Sequence, residues 1–182
     1  LKEKLLKAPD LIAYLGPEGT FSQMAALNHF GKKSNLFACE NIEDVFSAVE
    51  MGKVRFGVVP VENSTEGAVN NTQDCLLDTG IVVSGEVVIP IEHQLLVAEH
   101  TDVFAVEKIA SHKQSLAQCR HWLSENYPRA ELIECSSNAE AARLAATTDK
   151  TAAIAGELAA KIYKLVPAMK KIQDREHNST RF

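Results

Sequence analysis

Three short apolar runs, Leu11 to Leu15, Asn35 to Cys39 and Phe56 to Val61, alternate with segments of helical character at Thr20 to Phe30 and Ile42 to Met51. This βαβαβ succession narrows the fold more than any other feature. Parallel strands cannot be closed by a tight hairpin, so each helix must cross back over the sheet, and loops that bind ligands gather at the carboxyl ends of the strands. The second helix shows its inward face as Val45, Phe46 and Val49. After the polar run Glu62 to Asn71, the pattern predicts a helix over Val69 to Thr79. Long strands are expected at Ile81 to Pro90 and Gln94 to Glu99, where the chain crosses from one lobe to another. A second α/β set follows, with strands at Lys108 to Ala110, Glu131 to Cys135 and Ala152 to Ala155. Its helices fall at Ser115 to Tyr127, Ala139 to Thr147 and Glu157 to Leu165, and Met169 to Asp174 returns toward the hinge. The architecture this implies is α/β, with two lobes facing each other across a cleft: lobe 1 about 11–90 plus 170–182, lobe 2 about 91–169.

A chain of 182 residues with 46% hydrophobic side chains can bury a substantial core. The formal net charge is -5 and the lysines are scattered rather than interleaved with aromatic residues, which argues against a nucleic-acid partner. The most apolar region, Ile81 to Ala98, is interrupted by Glu86, Pro90, Glu92 and His93, so no bilayer-spanning run is present and no membrane partner is expected. No secretory signal opens the chain. Cys39, Cys75, Cys119 and Cys135 form no CxxC pair, and the histidines show no HExxH spacing, so neither a metal nor a redox motif is signalled. Reduced thiols in a cytoplasmic protein are the expectation. Residues 1–10, with a Lys-rich, helix-prone lead-in from Leu1 to Pro9, read as a linker, and the stop at Phe182 suggests a piece of a longer polypeptide.

Four polar segments carry candidate chemistry. Gly16 to Ser22 lies between a strand and a helix, where backbone N–H groups can receive an anion; the alternative is that Thr20 or Ser22 serves only as a helix cap. Val61 to Gly67 follows the third strand and collects Glu62, Asn63, Ser64 and Thr65. These side chains suit a carboxylate or hydroxyl, or else cap the next helix. Ser111 to Cys119 repeats the arrangement, with Gln118 three residues after Ser115 and able to share its face. His112 invites a general-base role, but capping is the commoner use of such a residue. Ser136-Ser137-Asn138 reads as a plain N-cap cluster. The closing Asn178-Ser179-Thr180-Arg181-Phe182 sets a hydroxyl, a planar cation and an aromatic ring side by side, a trio suited to a small anion.

Taken together, Tyr14 to Ser22, Gly57 to Gly67, Ser111-His112-Lys113-Gln114 with Gln118-Cys119, and Asn178 to Phe182 resemble the prephenate dehydratase family across nearly the whole chain from Ile12. The resemblance implies a catalytic domain over 11–182, with two lobes like those of type II periplasmic binding proteins. It also implies an active site in the cleft between the lobes, no cofactor, and assembly as dimers or tetramers. It makes Thr180 the essential threonine. Lys113 departs from the proline usual in the family. Nothing in the chain corresponds to the regulatory ACT domain of family members, and the lead-in looks like the tail of a linker from a chorismate mutase domain.

The implied reaction is loss of carbon dioxide and water from prephenate, a dianion with a ring hydroxyl, to give phenylpyruvate. In this reading Thr180 assists departure of the hydroxyl, while Arg181 binds a carboxylate or buttresses Glu62. Asn63, Ser64, Thr65, Ser111 and Gln118 orient the substrate, with Thr20 and Ser22 at a helix start. Phe21 and Phe182 exclude water. A non-catalytic module binding a small anion or an amino acid is the alternative.

Overall fold

The computed structural model describes residues 10–182, so the lead-in from Leu1 to Pro9 lies outside the described residues. Contacts divide the chain into two units. One holds the described residues up to Pro17, then Phe21–Pro90 and Asn178–Phe182; the other holds Glu18–Thr20 and Ile91–His177.

In the first unit, β1 (Ile12–Leu15) lies between β2 (Leu36–Cys39) and β3 (Phe56–Val58), and all three run parallel, with Ile12 opposite both Leu36 and Phe56. The central strand is apolar throughout because both its faces are covered: Ile12, Ala13 and Tyr14 are buried. Helices α1 (Phe21–Phe30) and α2 (Ile42–Glu50) supply the crossovers. Helix α2 starts where Asn41 Oδ1 accepts the Asp44 N–H at 2.7 Å, and Glu43 and Asp44 place negative charge against the positive end of its dipole. Its buried face, Val45, Ala48 and Val49, packs on Ala13, Cys39 and Val54. Strand β3 passes so close to this helix that a Cβ at Gly57 would sit 2.7 Å from Val45 Cγ1, which explains the glycine.

A second, antiparallel sheet completes this unit in the order β5 (Gly67–Ala68), β4 (Glu62–Asn63), β12 (Ser179–Arg181), β6 (Val88–Pro90). The polar run after Val61, expected to be an irregular loop, is thus a hairpin, followed by helix α3 (Asn70–Leu77). Conversely, the long strand expected over Ile81 to Pro90 is ordered as a strand only at Val88–Pro90, and Val82 and Val83 are exposed. The reason lies at the far end of the sequence. Strand β12 is the ladder partner, pairing Arg181 with Val88 and Ser179 with Pro90, and a run with no partner opposite it forms no ladder.

The second unit is a five-stranded sheet in the order β11 (Val166–Lys170), β7 (Gln94–Val97), β10 (Thr151–Ala155), β8 (Lys108–His112), β9 (Glu131–Cys135). Strands β8, β9 and β10 are parallel, whereas β7 runs antiparallel to both its neighbours. Every residue of β10 is buried. Its alanines let α6 (Asn138–Thr147) and α7 (Glu157–Tyr163) approach closely through Ala141, Ala142, Ala145, Ala159 and Ala160. Gly19 belongs here too. Its φ of +90° suits glycine, and a Cβ would press on Ala159 and Tyr163 at 3.2 Å.

Three expectations for this unit need correction. The helix expected over Ser115 to Tyr127 is two, α4 (Lys113–Gln118) and α5 (Arg120–Asn126), broken at Cys119. Asp174 stabilises the break, its carboxylate accepting the N–H groups of His121 at 2.9 Å and Trp122 at 3.1 Å. Strand β11 was not expected, the sequence pointing only to a return of Met169 to Asp174 toward the hinge; it forms at the sheet edge, where Pro167 is tolerated, with a register shift between Pro167 and Met169. Residues 170–177, assigned to lobe 1 from the sequence, pack in the second unit, where Ile172 N–H donates to His93 O at 3.0 Å and Asp174 N–H to Gln118 O at 2.8 Å. Among the described residues no helix is long and apolar enough to cross a membrane.

Candidate active site

In the first unit, Thr180 lies in the middle of β12, opposite Asn63 on one side and Ile89 on the other, with 8% of its surface exposed. Asn63 connects the whole constellation. Its Nδ2 donates to Thr180 Oγ1 at 2.8 Å and to Asn178 Oδ1 at 3.0 Å. Its Oδ1 accepts from Thr65 N at 2.9 Å, Thr65 Oγ1 at 2.6 Å and Glu66 N at 3.1 Å. The carboxamide is therefore held at both ends and cannot turn over. Because Thr180 Oγ1 accepts this hydrogen bond, its own proton is not directed at the Asn63 amide. Ser64 is structural in this geometry: its N–H donates to Ser179 O and its Oγ accepts the Ser179 N–H, both at 2.9 Å.

Arg181 does not reach Glu62. The two are paired across the backbone ladder, yet the guanidinium Nη1 lies 3.0 Å from Glu86 Oε2. Glu86 precedes Val88, the residue opposite Arg181, by two positions, and is thus its diagonal neighbour on one face of the sheet. Side chains alternate along a strand, so Arg181 is exposed where Thr180 and Phe182 are buried. Glu62 is exposed. Phe182, with Arg181, lines a cavity of about 380 Å³ in this unit, walled by Val45, Phe46, Val49 and Phe56. Neither Thr180 nor Asn63 lines that cavity.

The second unit gathers Ser111, Ser115 and His112 around one carbonyl. Asn138 Oδ1 accepts from Ser115 Oγ at 2.9 Å and His112 N at 3.1 Å, and lies 3.0 Å from Ser111 Oγ. Ser111 is fully buried, and its hydroxyl also approaches Ile154 O at 2.7 Å. His112 is a cap: its Nδ1 accepts the Gln114 N–H at 3.3 Å at the start of α4. Gln118, at the end of α4, receives a hydrogen bond on Oε1 from His93 Nε2 at 2.8 Å. Burial lowers the His93 pKa below its ordinary value, against a smaller upward effect of the Gln118 contact. Thr20 is half-buried in this unit, while Phe21 and Ser22 open α1 in the other, with Ser22 buried.

Three polar residues were missed by sequence reasoning as parts of these clusters. Asn178 was discoverable, since it sits two positions before Thr180 and so shares its strand face. Asn138 was read as capping alone. Ser137 does cap α6, its Oγ accepting the Glu140 N–H at 3.0 Å, but Asn138 reaches back 27 residues to Ser111. His93 carried no local signal.

These features define a protein of two α/β units with uncharged hydrogen-bonding clusters at strand and loop ends. The prephenate dehydratase family model matches residues 12–182, and the chain belongs to that family. It is 53% identical to a bifunctional chorismate mutase/prephenate dehydratase of Stutzerimonas stutzeri, over 97% of this chain and 48% of that one. It is 42% identical to a prephenate dehydratase of Lactococcus lactis subsp. lactis, over 94% of this chain and 61% of that one. A crystal structure of prephenate dehydratase from Arthrobacter aurescens in complex with L-Phe superimposes with a TM-score of 0.87 at 29% identity, covering 94% of this chain and 58% of that one. The chain thus spans about half the length of the first of these relatives.

Proposed function

We propose that the protein catalyses the decarboxylating dehydration of prephenate to phenylpyruvate. The observation that carries this reading is the 2.8 Å hydrogen bond from Asn63 Nδ2 to Thr180 Oγ1, which leaves the threonine proton uncommitted to that amide. Family membership and relatives named for this activity support it.

In the reaction the bond from the ring to its carboxylate breaks and carbon dioxide leaves. The freed electron pair enters the ring as the opposite C–O bond breaks, and the departing hydroxyl takes one proton to become water. The dianion and one proton thus give phenylpyruvate anion, carbon dioxide and water. Thr180 donates a hydrogen bond to the leaving hydroxyl and passes it a proton ultimately drawn from solvent, since an alcohol is too weak an acid to supply one unaided. Asn63 and Gln118 orient substrate oxygens, as do Thr20, Ser22 and Thr65. Ser64 and Ser111 hold the segments that carry them, Phe21 and Phe182 keep the surroundings dry, and Arg181 and Glu62, both exposed on adjoining inner strands, contribute charge. Unpaired thiols at all four cysteines suit a cytoplasmic enzyme, and assembly as a homodimer or tetramer is expected.

Mixing the protein with prephenate and reading phenylpyruvate by its absorbance in base tests the proposal. Steady product formation supports it. Folded protein that binds prephenate without turnover would instead be a binding module.

A further inference from the structure

His93 lies just before β7 and is 2% exposed. Its backbone is tied in both directions to one segment: its N–H donates to Gln173 Oε1 at 3.0 Å, and its carbonyl accepts from Ile172 N at 3.0 Å. The next residue of that segment, Asp174, donates its N–H to Gln118 O at 2.8 Å while its carboxylate caps α5. Residues 172–174 therefore clasp His93 and Gln118 together, and the 2.8 Å contact between imidazole Nε2 and Gln118 Oε1 closes the ring of interactions.

The chemistry of the pair is directional. A carboxamide has an acceptor end and a donor end, and the two exchange places by a half-turn about its last torsion. With Oε1 held by an N–H, the NH₂ end must face away from the imidazole. Two N–H donors suit a carboxylate, whereas the flipped amide would set a carbonyl oxygen against it. Burial keeps the imidazole neutral, so it carries a single N–H.

We infer that His93 is a positioning residue, which fixes the Gln118 carboxamide in the orientation that offers N–H donors to a substrate carboxylate. This rests on the reading above that Gln118 binds prephenate. His93→Phe removes the N–H while keeping a flat ring; His93→Gln can restore a donor near the Nε2 position. His93→Phe is expected to raise KM for prephenate about 10-fold with kcat changed less than about 3-fold, and His93→Gln to recover most of the loss. His93→Phe/Gln118→Ala is expected to match Gln118→Ala alone, because the two act through one group.

The imidazole ¹⁵N spectrum gives a readout separate from turnover. It should show the neutral Nε2–H tautomer, with an Nε2–H proton that shifts in Gln118→Leu. An unchanged KM in His93→Phe, additive effects in the double variant, or an Nδ1–H tautomer would each overturn the inference. If the wild-type protein leaves prephenate unchanged, the functional reading fails and with it the substrate part of the inference, while the tautomer still decides the hydrogen bond. If His93→Phe does not fold, His93→Gln and Gln118→Leu carry the test.

Discussion

Thr180 is useful only because of the group that faces it. Its Oγ1 accepts from Asn63, which leaves the proton uncommitted to that amide, as the proposed role requires. Thr180→Ala is expected to lower kcat about 10²- to 10⁴-fold, or roughly 3 to 5 kcal/mol of barrier. Thr180→Val keeps the shape and should fall as far; near-normal turnover in that variant would end the assignment. Asn63→Asp reverses the bond, because a carboxylate draws the threonine proton toward itself and also removes the hydrogen bond from Asn63 Nδ2 to Asn178 Oδ1. A loss of kcat comparable to that of Thr180→Ala is expected, with a stability cost of about 1 to 3 kcal/mol measured by denaturant titration. Both residues stood out in the sequence as polar groups in suggestive company. Their pairing did not, since 117 positions separate them and only the β4–β12 ladder sets them opposite each other.

At the scale of elements, local pattern was a good guide where each segment carried its own reason to form. Helix α2 has its cap, its acidic first turn and its apolar stripe in consecutive residues, and its start at Ile42 was legible. Strand β3 owes its glycine to that helix. Gly57→Ala would force a methyl against Val45 Cγ1, and a loss of about 1 to 3 kcal/mol is expected from chemical unfolding. The break between α4 and α5 was not legible, because the group that caps α5 is Asp174, more than fifty residues downstream. Asp174→Ala should cost about 1 kcal/mol and speed amide exchange at His121 and Trp122. Unaltered exchange at both would mean that the break does not need its cap. Strands β6 and β11 were misjudged for a related reason: strand formation depends on what lies opposite, and neither partner could be read from the run itself.

Over the whole molecule, buried titratable groups report on folding. Above about pH 6.5, the ordinary value for His93, its folded and unfolded forms are both neutral and contribute nothing to pH dependence. Below it, the unfolded chain takes up a proton that the folded protein refuses until its own lower value is reached, so stability falls as pH falls through that window. His93→Gln should therefore lose less Tm than the wild type between about pH 7 and 5. An equal loss would show that His93 does not set the acid limit. Cys119 is pushed up to about 12, first by burial and then by Asp174, and is fully buried. Its alkylation should wait for unfolding and follow the opening rate, whereas Cys75, less buried, should react in the native protein.

The sequence by itself determined the kind of fold, through the alternation of apolar runs and helical stripes, and it determined the family, through four ordered motifs. Those properties are written in neighbouring residues, where propensity, capping and periodicity act. Only the tertiary structure decided that Thr180 is held by Asn63, that Arg181 turns to Glu86, that Asn138 gathers the serines, and that His93 grips Gln118. A hydrogen bond acts over about 3 Å of space and is indifferent to distance along the chain, so its partners are known only once the strands have found their places.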